Sequence, residues 1–208
     1  DVVLLPNGID VHRFTAPTSN HIKRKVKSHL AVPVDASIVL TVRRLVPRNG
    51  VEYLIRVAEQ MKDNREIAFV IVGDGPERDH LEALSLQLGL SNVIFLGEVS
   101  EELLPEVYRS ADVFVLPTLT GEGFGLVVLE AFASGLPVIT FPGGGPDDLI
   151  NDGKNGIFVD RGSPITMANV ICGILHDHPL MDNMSNSARK TAESLDWDKH
   201  IMMLERLL

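Results

Sequence analysis

Two glutamates flank a glycine-rich segment whose residue types suit a phosphorylated ligand. Gly121, Gly123 and Gly125 precede an apolar stretch that is predicted to be helical, and glycine lets a backbone approach a ligand without a Cβ in the way. The free N–H groups and the positive dipole end of the helix would favour phosphate. Glu122 lies in the loop before this helix, and Glu130 lies within it.

Glu130 stands in an otherwise apolar stretch, where a carboxylate is costly unless it accepts hydrogen bonds. The two hydroxyls of a ribose would supply such bonds. Alternatively, Glu122 caps the helix and Glu130 bonds to neighbouring backbone, because perturbed carboxylates also serve structure. The local chemistry leaves both interpretations open.

A second candidate loop, residues 43–50, is rich in arginine. Arg44 and Arg48 have the paired donors with which arginine binds a diphosphate. The alternative is that both are surface arginines beside a turn, since exposed charges are the norm.

Two further loops carry glycine. Gly73-Asp74-Gly75 is a weak signal, because many strand-to-helix turns use glycine for geometry alone, and Pro76 is expected as the first helical residue. The three glycines at 143–145 allow closer backbone approach, and Asp147 follows them. Asp147 is either a helix cap or an acceptor for a sugar hydroxyl.

The elements that position these loops alternate between apolar runs and helical segments. Such alternation predicts an α/β fold, a doubly wound parallel six-stranded Rossmann-like sheet with helices on both faces. Ligands of such sheets bind beyond the carboxyl ends of the strands, where the strand order reverses. The runs are 37–42, 67–72, 93–96, 112–116, 137–140 and 156–159, and the helices 20–30, 51–61, 76–89, 101–110, 124–134, 165–175, 180–195 and 198–208.

Composition limits the class of protein. The 208 residues are 45% hydrophobic and 23% charged, with a formal net charge of -9, which predicts one soluble domain and argues against a nucleic-acid partner. The single Cys172 suits a reducing, cytoplasmic setting. His176 and His178 lack the neighbours of a metal site, so no metal and no cofactor are expected.

The basic run Lys23-Arg24-Lys25-Val26-Lys27 is the exception to the acidic composition. A solvated helix face is its ordinary interpretation. A weak contact with an anionic membrane is the alternative, and a peripheral membrane contact of the full-length protein is kept as a prediction.

The order and spacing of the loops resemble glycosyltransferase family 4, a group of retaining enzymes with the GT-B fold. Each motif alone is weak, but the match runs nearly from end to end. The glutamates form the family's E-x7-E signature. The matching segments are 5–10 with 13–14, 44–47 with 50, 72–76, 95–97, 122–131, 135–138, and 143–144 with 146.

This resemblance implies a role for each matching residue. Glu122 and Arg44 would be catalytic: Glu122 at the donor sugar, and Arg44 stabilising the leaving diphosphate. Glu130 would hold the donor ribose. The remaining donor contacts would come from Gly123, Phe124, Gly125, Leu126, Val127, Arg48, Asn49, Gly73, Leu96, Gly97 and Asp147.

The chain departs from the family pattern at three positions. A lysine is common where Asn49 stands, a glycine where Arg43 stands and a glutamate where Asp147 stands. Asn49 cannot supply the second cation for the diphosphate, and Arg48 is the predicted substitute.

The resemblance also implies that the chain is the C-terminal, donor-binding half of a two-domain enzyme. Residues 1–35 would be an interdomain connector with a short helix, 36–195 the nucleotide-sugar-binding domain, and 196–208 a C-terminal helix that packs towards an N-terminal acceptor domain. A hexosyltransferase-like activity is expected of the two-domain parent protein, and this chain alone is expected to be inactive. A non-catalytic nucleotide-sugar-binding or scaffolding module is the alternative, and a sugar-nucleotide epimerase of GT-B fold is a weaker one.

Overall fold

A computed structural model describes residues 7–120 and 122–207. Its six strands form one wholly parallel sheet in the order β3-β2-β1-β4-β5-β6, which confirms the predicted doubly wound fold. The strands are β1 Ser37–Val42, β2 Ile67–Val72, β3 Val93–Gly97, β4 Val113–Leu116, β5 Val138–Thr140 and β6 Gly156–Phe158. The first six residues of the predicted connector, Gly121 and Leu208 lie outside the described residues.

The central strands are apolar because helices cover both faces of the sheet. Every residue of β2 and of β4 is buried. The helices are α1 Asn20–His29, α2 Val51–Gln60, α3 Arg78–Gln87, α4 Leu104–Ser110, α5 Leu126–Ala133, α6 Pro164–His176, α7 His178–Ser194 and α8 Trp197–Leu207.

Three helices begin later than the sequence suggests, and one of them is α4, which begins at Leu104 rather than at Glu101. The N–H of Glu77 donates to the carbonyl of Leu45, so the turn before α3 is bonded to the loop after β1 and Pro76 stays outside the helix. Gly125, at φ +83°, is the N-cap of α5. Helical geometry therefore begins at Leu126 rather than at Phe124.

The strand order reverses between β1 and β4, and the two loops leaving these strands meet there. Gly50 shows how closely they approach: a Cβ at this residue would lie 1.9 Å from the carbonyl oxygen of Pro117. Leu119 also donates its N–H to the carbonyl of Arg48 at 2.8 Å. The arginine-rich loop and the glycine-rich loop thus form one edge of the sheet.

The predicted connector packs against the rest of the chain. Ile9, Val11 and Phe14 are buried in the main hydrophobic core. Ile9 also bridges the junction of α7 and α8 through two backbone hydrogen bonds, Ile9 N–H to Leu195 carbonyl at 3.0 Å and Trp197 N–H to Ile9 carbonyl at 3.2 Å. The start of the described chain and its last helix are consequently neighbours.

The basic run in α1 is largely engaged within the domain. Lys23 Nζ lies 2.6 Å from Asp112, Arg24 pairs with Asp35, and the buried Lys27 donates to the carbonyl of Ala36 at 2.6 Å. Burial lowers the pKa of Lys27. A solvated face does not describe Lys27, and the predicted membrane contact stays a prediction.

Among the described residues, no helix is long and apolar enough to cross a membrane.

Candidate functional site

A cleft of about 460 Å³ opens where the strand order reverses. It contains nine of the residues predicted to bind a donor, together with Arg43, Val42 and Asn7. The lining residues are Asn7, Val42, Arg43, Arg44, Arg48, Asn49, Glu122, Gly123, Phe124, Gly125, Leu126 and Val127. Glu130, Gly73, Leu96, Gly97 and Asp147 do not line it.

The charge of this cleft is opposite to that of the chain. Arg43, Arg44 and Arg48 line it against a single acidic side chain, Glu122, whereas the chain carries a net charge of -9. Arg44 and Arg48 are exposed, and their side chains form no hydrogen bond or ion pair with the described residues. Both guanidinium groups are therefore free to bind an anion.

The start of α5 forms the opposite wall. The backbone N–H groups of Leu126 and Val127 find no acceptor within residues 7–120 and 122–207. Free N–H groups at a helix start favour anions. The two arginines without a partner among the described residues, Arg44 and Arg48, and this helix start together provide the charge and the donors that a diphosphate requires.

Glu122 is held by Arg43, which the sequence analysis noted only as a departure from the family pattern. A guanidinium nitrogen of Arg43 lies 2.6 Å from Glu122 Oε2, and the same nitrogen donates to Asn49 Oδ1 at 3.1 Å. Thr118 donates to the same Glu122 oxygen at 3.1 Å. The side chains of Arg43 and Glu122 are only 9% and 17% exposed, so this is a largely buried ion pair.

Glu130 lies on α5, three residues after Val127 and so on the same helix face. The hydroxyl of Tyr108 donates to Glu130 Oε2 at 2.7 Å. Burial raises the pKa of Glu130, although the Tyr108 hydrogen bond and the charge of Arg13 oppose this. Burial and the nearby Glu130 charge raise the pKa of Tyr108 well above its ordinary value, so the phenol remains a donor.

Tyr108 is a site neighbour that sequence reasoning missed. It is fully buried in α4, between the rings of Phe14 and Phe114. A buried aromatic residue on a helix resembles any core residue, so the sequence carries no signal of the contact between Tyr108 and Glu130.

The ends of β2 and β3 lie beside the cleft. The N–H of Gly73 donates to the carbonyl of Gly97 at 2.8 Å, and a Cβ at Gly73 would lie 1.9 Å from the carbonyl oxygen of Arg43. This close approach explains the glycine at 73 without a ligand. Leu96 is partly exposed at the same edge.

Asp147 closes the loop after β5. Its two carboxylate oxygens accept the N–H groups of Gly143 at 2.7 Å and Gly144 at 3.2 Å. Asp147 belongs to a short 3-10 helix at Gly145–Asp148, and the capping interpretation accounts for both contacts. Gly145 packs on the glycine-rich loop, where a Cβ would lie 1.4 Å from the carbonyl oxygen of Gly123.

One group of side chains has the composition of a metal site. His12, Asp196 and Asp198 offer ligand atoms that lie within 4.8 Å of one another. None of them lines the cleft. They meet because the connector and the start of α8 are joined through Ile9, and sequence separation concealed this proximity.

Comparison with known proteins identifies the family. The sequence profile of the family described as Glycosyl transferases group 1 matches residues 22–191. This chain belongs to that family. The resemblance read from the motifs is thereby confirmed at the level of a glycosyltransferase group 1 domain.

Relatives named as glycosyltransferases align with most of the chain. It is 36% identical over 95% of its length to an uncharacterised glycosyltransferase of Methanocaldococcus jannaschii, covering 51% of that protein. It is 33% identical over 83% of its length to a GDP-mannose-dependent α-(1-6)-phosphatidylinositol monomannoside mannosyltransferase of Mycolicibacterium smegmatis, covering 47% of it. The chain thus spans about half the length of these relatives.

Two solved structures share the fold of this chain. Anabaena HepE in complex with UDP and glucose superposes with a TM-score of 0.87 at 25% identity, over 99% of this chain and 56% of that one. The C-terminal domain of a glycosyl transferase group 1 protein from Francisella tularensis superposes with a TM-score of 0.79 at 25% identity, over 90% of this chain and 97% of that domain.

Proposed function

We propose that this domain binds the nucleotide-diphosphate sugar of a retaining glycosyltransferase of family 4. The observation that carries the proposal is the cleft at the strand reversal, where exposed Arg44 and Arg48 face the free N–H groups at the start of α5. Such a cleft matches the charge of a diphosphate. Relatives of this fold named for UDP-glucose and GDP-mannose support the donor class.

In this proposal the donor lies along the carboxyl edge of the sheet. Arg44 and Arg48 bind the diphosphate with the N–H groups of Leu126 and Val127, and Arg44 stabilises negative charge as the diphosphate leaves. The ribose extends towards Glu130, which lies about one turn after Val127 on the face of α5 that borders the cleft.

The remaining contacts follow from the same placement. The sugar lies against Gly123, Phe124 and Gly125, with its hydroxyls donating to Glu122. The base lies towards the ends of β2 and β3, at Gly73, Leu96 and Gly97. Asp147 contributes indirectly, by closing the loop after β5 through its bonds to Gly143 and Gly144. Asn49 contributes indirectly, by accepting a hydrogen bond from Arg43.

The acceptor binds to the other half of a longer parent protein. α8 presents an apolar face to solvent: Trp197, Ile201, Met202 and Leu204 are each 45–51% exposed. The backbone pairing of Trp197 with Ile9 places this face beside the connector. We propose that the second domain packs on it, and that this chain alone transfers little or no sugar.

Thermal unfolding with UDP, GDP and ADP tests donor binding. At a hundredfold excess over the dissociation constant, a ligand stabilises the fold by about 2.7 kcal/mol, which corresponds to a rise in Tm of about 5–10 °C for a domain of this size. One of the three nucleotides is expected to produce that rise. A Tm that none of them moves would refute the proposal.

Substituting Arg44 tests where the diphosphate binds. Arg44→Ala is expected to weaken nucleotide binding by about 10- to 100-fold, the effect of losing charge-assisted hydrogen bonds of about 1.5–3 kcal/mol, without lowering the Tm of the free domain. Arg65→Ala, at an exposed arginine outside the cleft, is the matched control. Equal affinities of the two variants, measured by calorimetry, would place the nucleotide elsewhere.

A non-catalytic binding module is the second candidate function. The observation in its favour is the Arg43–Glu122 pair, which engages a predicted catalytic carboxylate within the protein. A full-length parent that binds the nucleotide sugar but neither hydrolyses nor transfers it would select this module. Sugar transfer would exclude it.

A further inference from the structure

The ion pair between Arg43 and Glu122 has a geometry that leaves half of the carboxylate unused. Oε2 of Glu122 accepts from both Arg43 and Thr118. Oε1 accepts from no side chain or backbone group of the described residues, and Glu122 lines the cleft. One oxygen is therefore anchored, and the other is available to a ligand.

Asn49 complements the guanidinium that holds Glu122. Its Oδ1 accepts from Arg43 at 3.1 Å, and its Nδ2 donates to the carbonyl of Arg44 at 2.7 Å. Only this orientation of the amide satisfies both neighbours. Because Asn49 is 7% exposed, a lysine there would bring a second cation against Arg43 in a site largely removed from water.

The residues at 43 and 49 are thus coupled. Asn49 fits beside Arg43 because its Oδ1 accepts from the guanidinium, and Arg43 is the cation that pairs with Glu122. A glycine at 43 would vacate the space beside Glu122, which a lysine at 49 has the length to reach.

We propose that Arg43 is a positioning residue for the donor sugar. It fixes Glu122 through Oε2 so that Oε1 accepts a sugar hydroxyl, and Asn49 holds Arg43 in place by accepting from its guanidinium. This inference rests on the proposed donor binding. It adds that the charge that anchors Glu122 belongs to Arg43, just after β1, rather than to the residue at position 49.

The test compares the affinity for a nucleoside diphosphate with that for its sugar conjugate. The probes are UDP with UDP-glucose and GDP with GDP-mannose, titrated calorimetrically into the 208-residue chain. Arg43→Met keeps the length of the side chain and removes its charge. It is expected to lower the affinity for the sugar conjugate about tenfold more than the affinity for the diphosphate, and so to lower the ratio of conjugate affinity to diphosphate affinity about tenfold. A merely structural role would weaken both equally, and that result would overturn the proposal.

Further variants isolate the pair. Glu122→Gln should lower the same ratio, and Arg43→Met with Glu122→Gln should lower it no further, since both act through one contact. Arg43→Lys retains a cation and should keep the affinity ratio close to the wild-type value. This variant provides the test if Arg43→Met does not fold. Losses that add in the double variant would contradict the assigned role.

Exchanging the two residues tests their coupling. Asn49→Lys alone is expected to lower the Tm and the conjugate affinity, because the new lysine meets the cation of Arg43. The double variant Arg43→Gly with Asn49→Lys should bring the ratio of conjugate affinity to diphosphate affinity back to within about threefold of the wild-type value. A double variant that stays as weak as Asn49→Lys would refute the coupling. If wild-type protein binds no probe, the donor proposal itself has failed, which is a separate outcome.

Discussion

At the scale of single residues, Glu130 is the carboxylate with the clearest energetic signature. It accepts a hydrogen bond from the fully buried Tyr108, and burial raises its pKa. A folded-state pKa above the unfolded value of 4.5 means that the folded state binds the proton more tightly. Ionised Glu130 therefore lowers the stability of the free domain, a cost that bound ribose hydroxyls would offset.

This predicts a pH dependence with a definite sign. The favourable contribution of Glu130 is fully present below about pH 4.5 and is lost as the pH rises through the raised pKa of the folded state. The free energy of unfolding of Glu130→Gln minus that of wild type should therefore increase from pH 4 to pH 8 in urea titrations. Glu66→Gln, at an exposed glutamate, is the control. The prediction is contradicted if the difference in the free energy of unfolding between Glu130→Gln and wild type changes with pH no more than it does for Glu66→Gln.

At the scale of elements, the start of α5 is held by the loop after β5 through glycine contacts. Gly145 packs against the carbonyl of Gly123, and Gly125 adopts the left-handed conformation that begins the helix. The side chain of Pro146 also lies against Gly125. The geometry of the anion-binding wall thus depends on a loop from a different strand.

Gly145→Ala tests this dependence. A Cβ that would lie 1.4 Å from the Gly123 carbonyl oxygen forces the two loops apart, and we expect a loss of about 1–3 kcal/mol of stability together with weaker nucleotide binding. Gly162→Ala is the matched control, because a Cβ there meets nothing within 4 Å. Unchanged nucleotide affinity in Gly145→Ala would show that the loop after β5 does not shape the site.

At the scale of the whole molecule, the exposed face of α8 is the surface that a longer parent would cover. Four large apolar side chains on one helix of a small domain are costly to leave in water. The neighbouring connector is tied to the same helix by the backbone bonds of Ile9. Both features support the proposal that a second domain packs at this junction.

A charged substitution distinguishes docking from folding. Ile201→Glu should leave the Tm and nucleotide affinity of this chain unchanged, because Ile201 is 51% exposed, and should lower sugar transfer by the full-length parent. Glu205→Lys, at an exposed polar position of α8, is the control. Transfer at the wild-type rate by Ile201→Glu would exclude α8 from the interface.

The sequence by itself determined the order of the strands and helices along the chain, because strand and helix patterning is a local property. It also placed the two loops at the sheet edge, since their glycines and arginines directly follow apolar runs. Arg44, Arg48 and the segment from Glu122 to Val127 were predicted in this way, and the structure brings them to one cleft. Nucleotide-sugar contacts for these residues stay predictions.

Only the tertiary structure decided which side chains meet. Arg43 and Glu122 are 79 residues apart, and Tyr108 and Glu130 are 22 apart, so no local pattern pairs them. The folded loop also showed that both oxygens of Asp147 accept backbone N–H groups, and a contact of Asp147 with a sugar hydroxyl stays a prediction. Spacing along a chain fixes which face of an element a residue occupies, whereas the partner of a buried charge depends on how the elements pack.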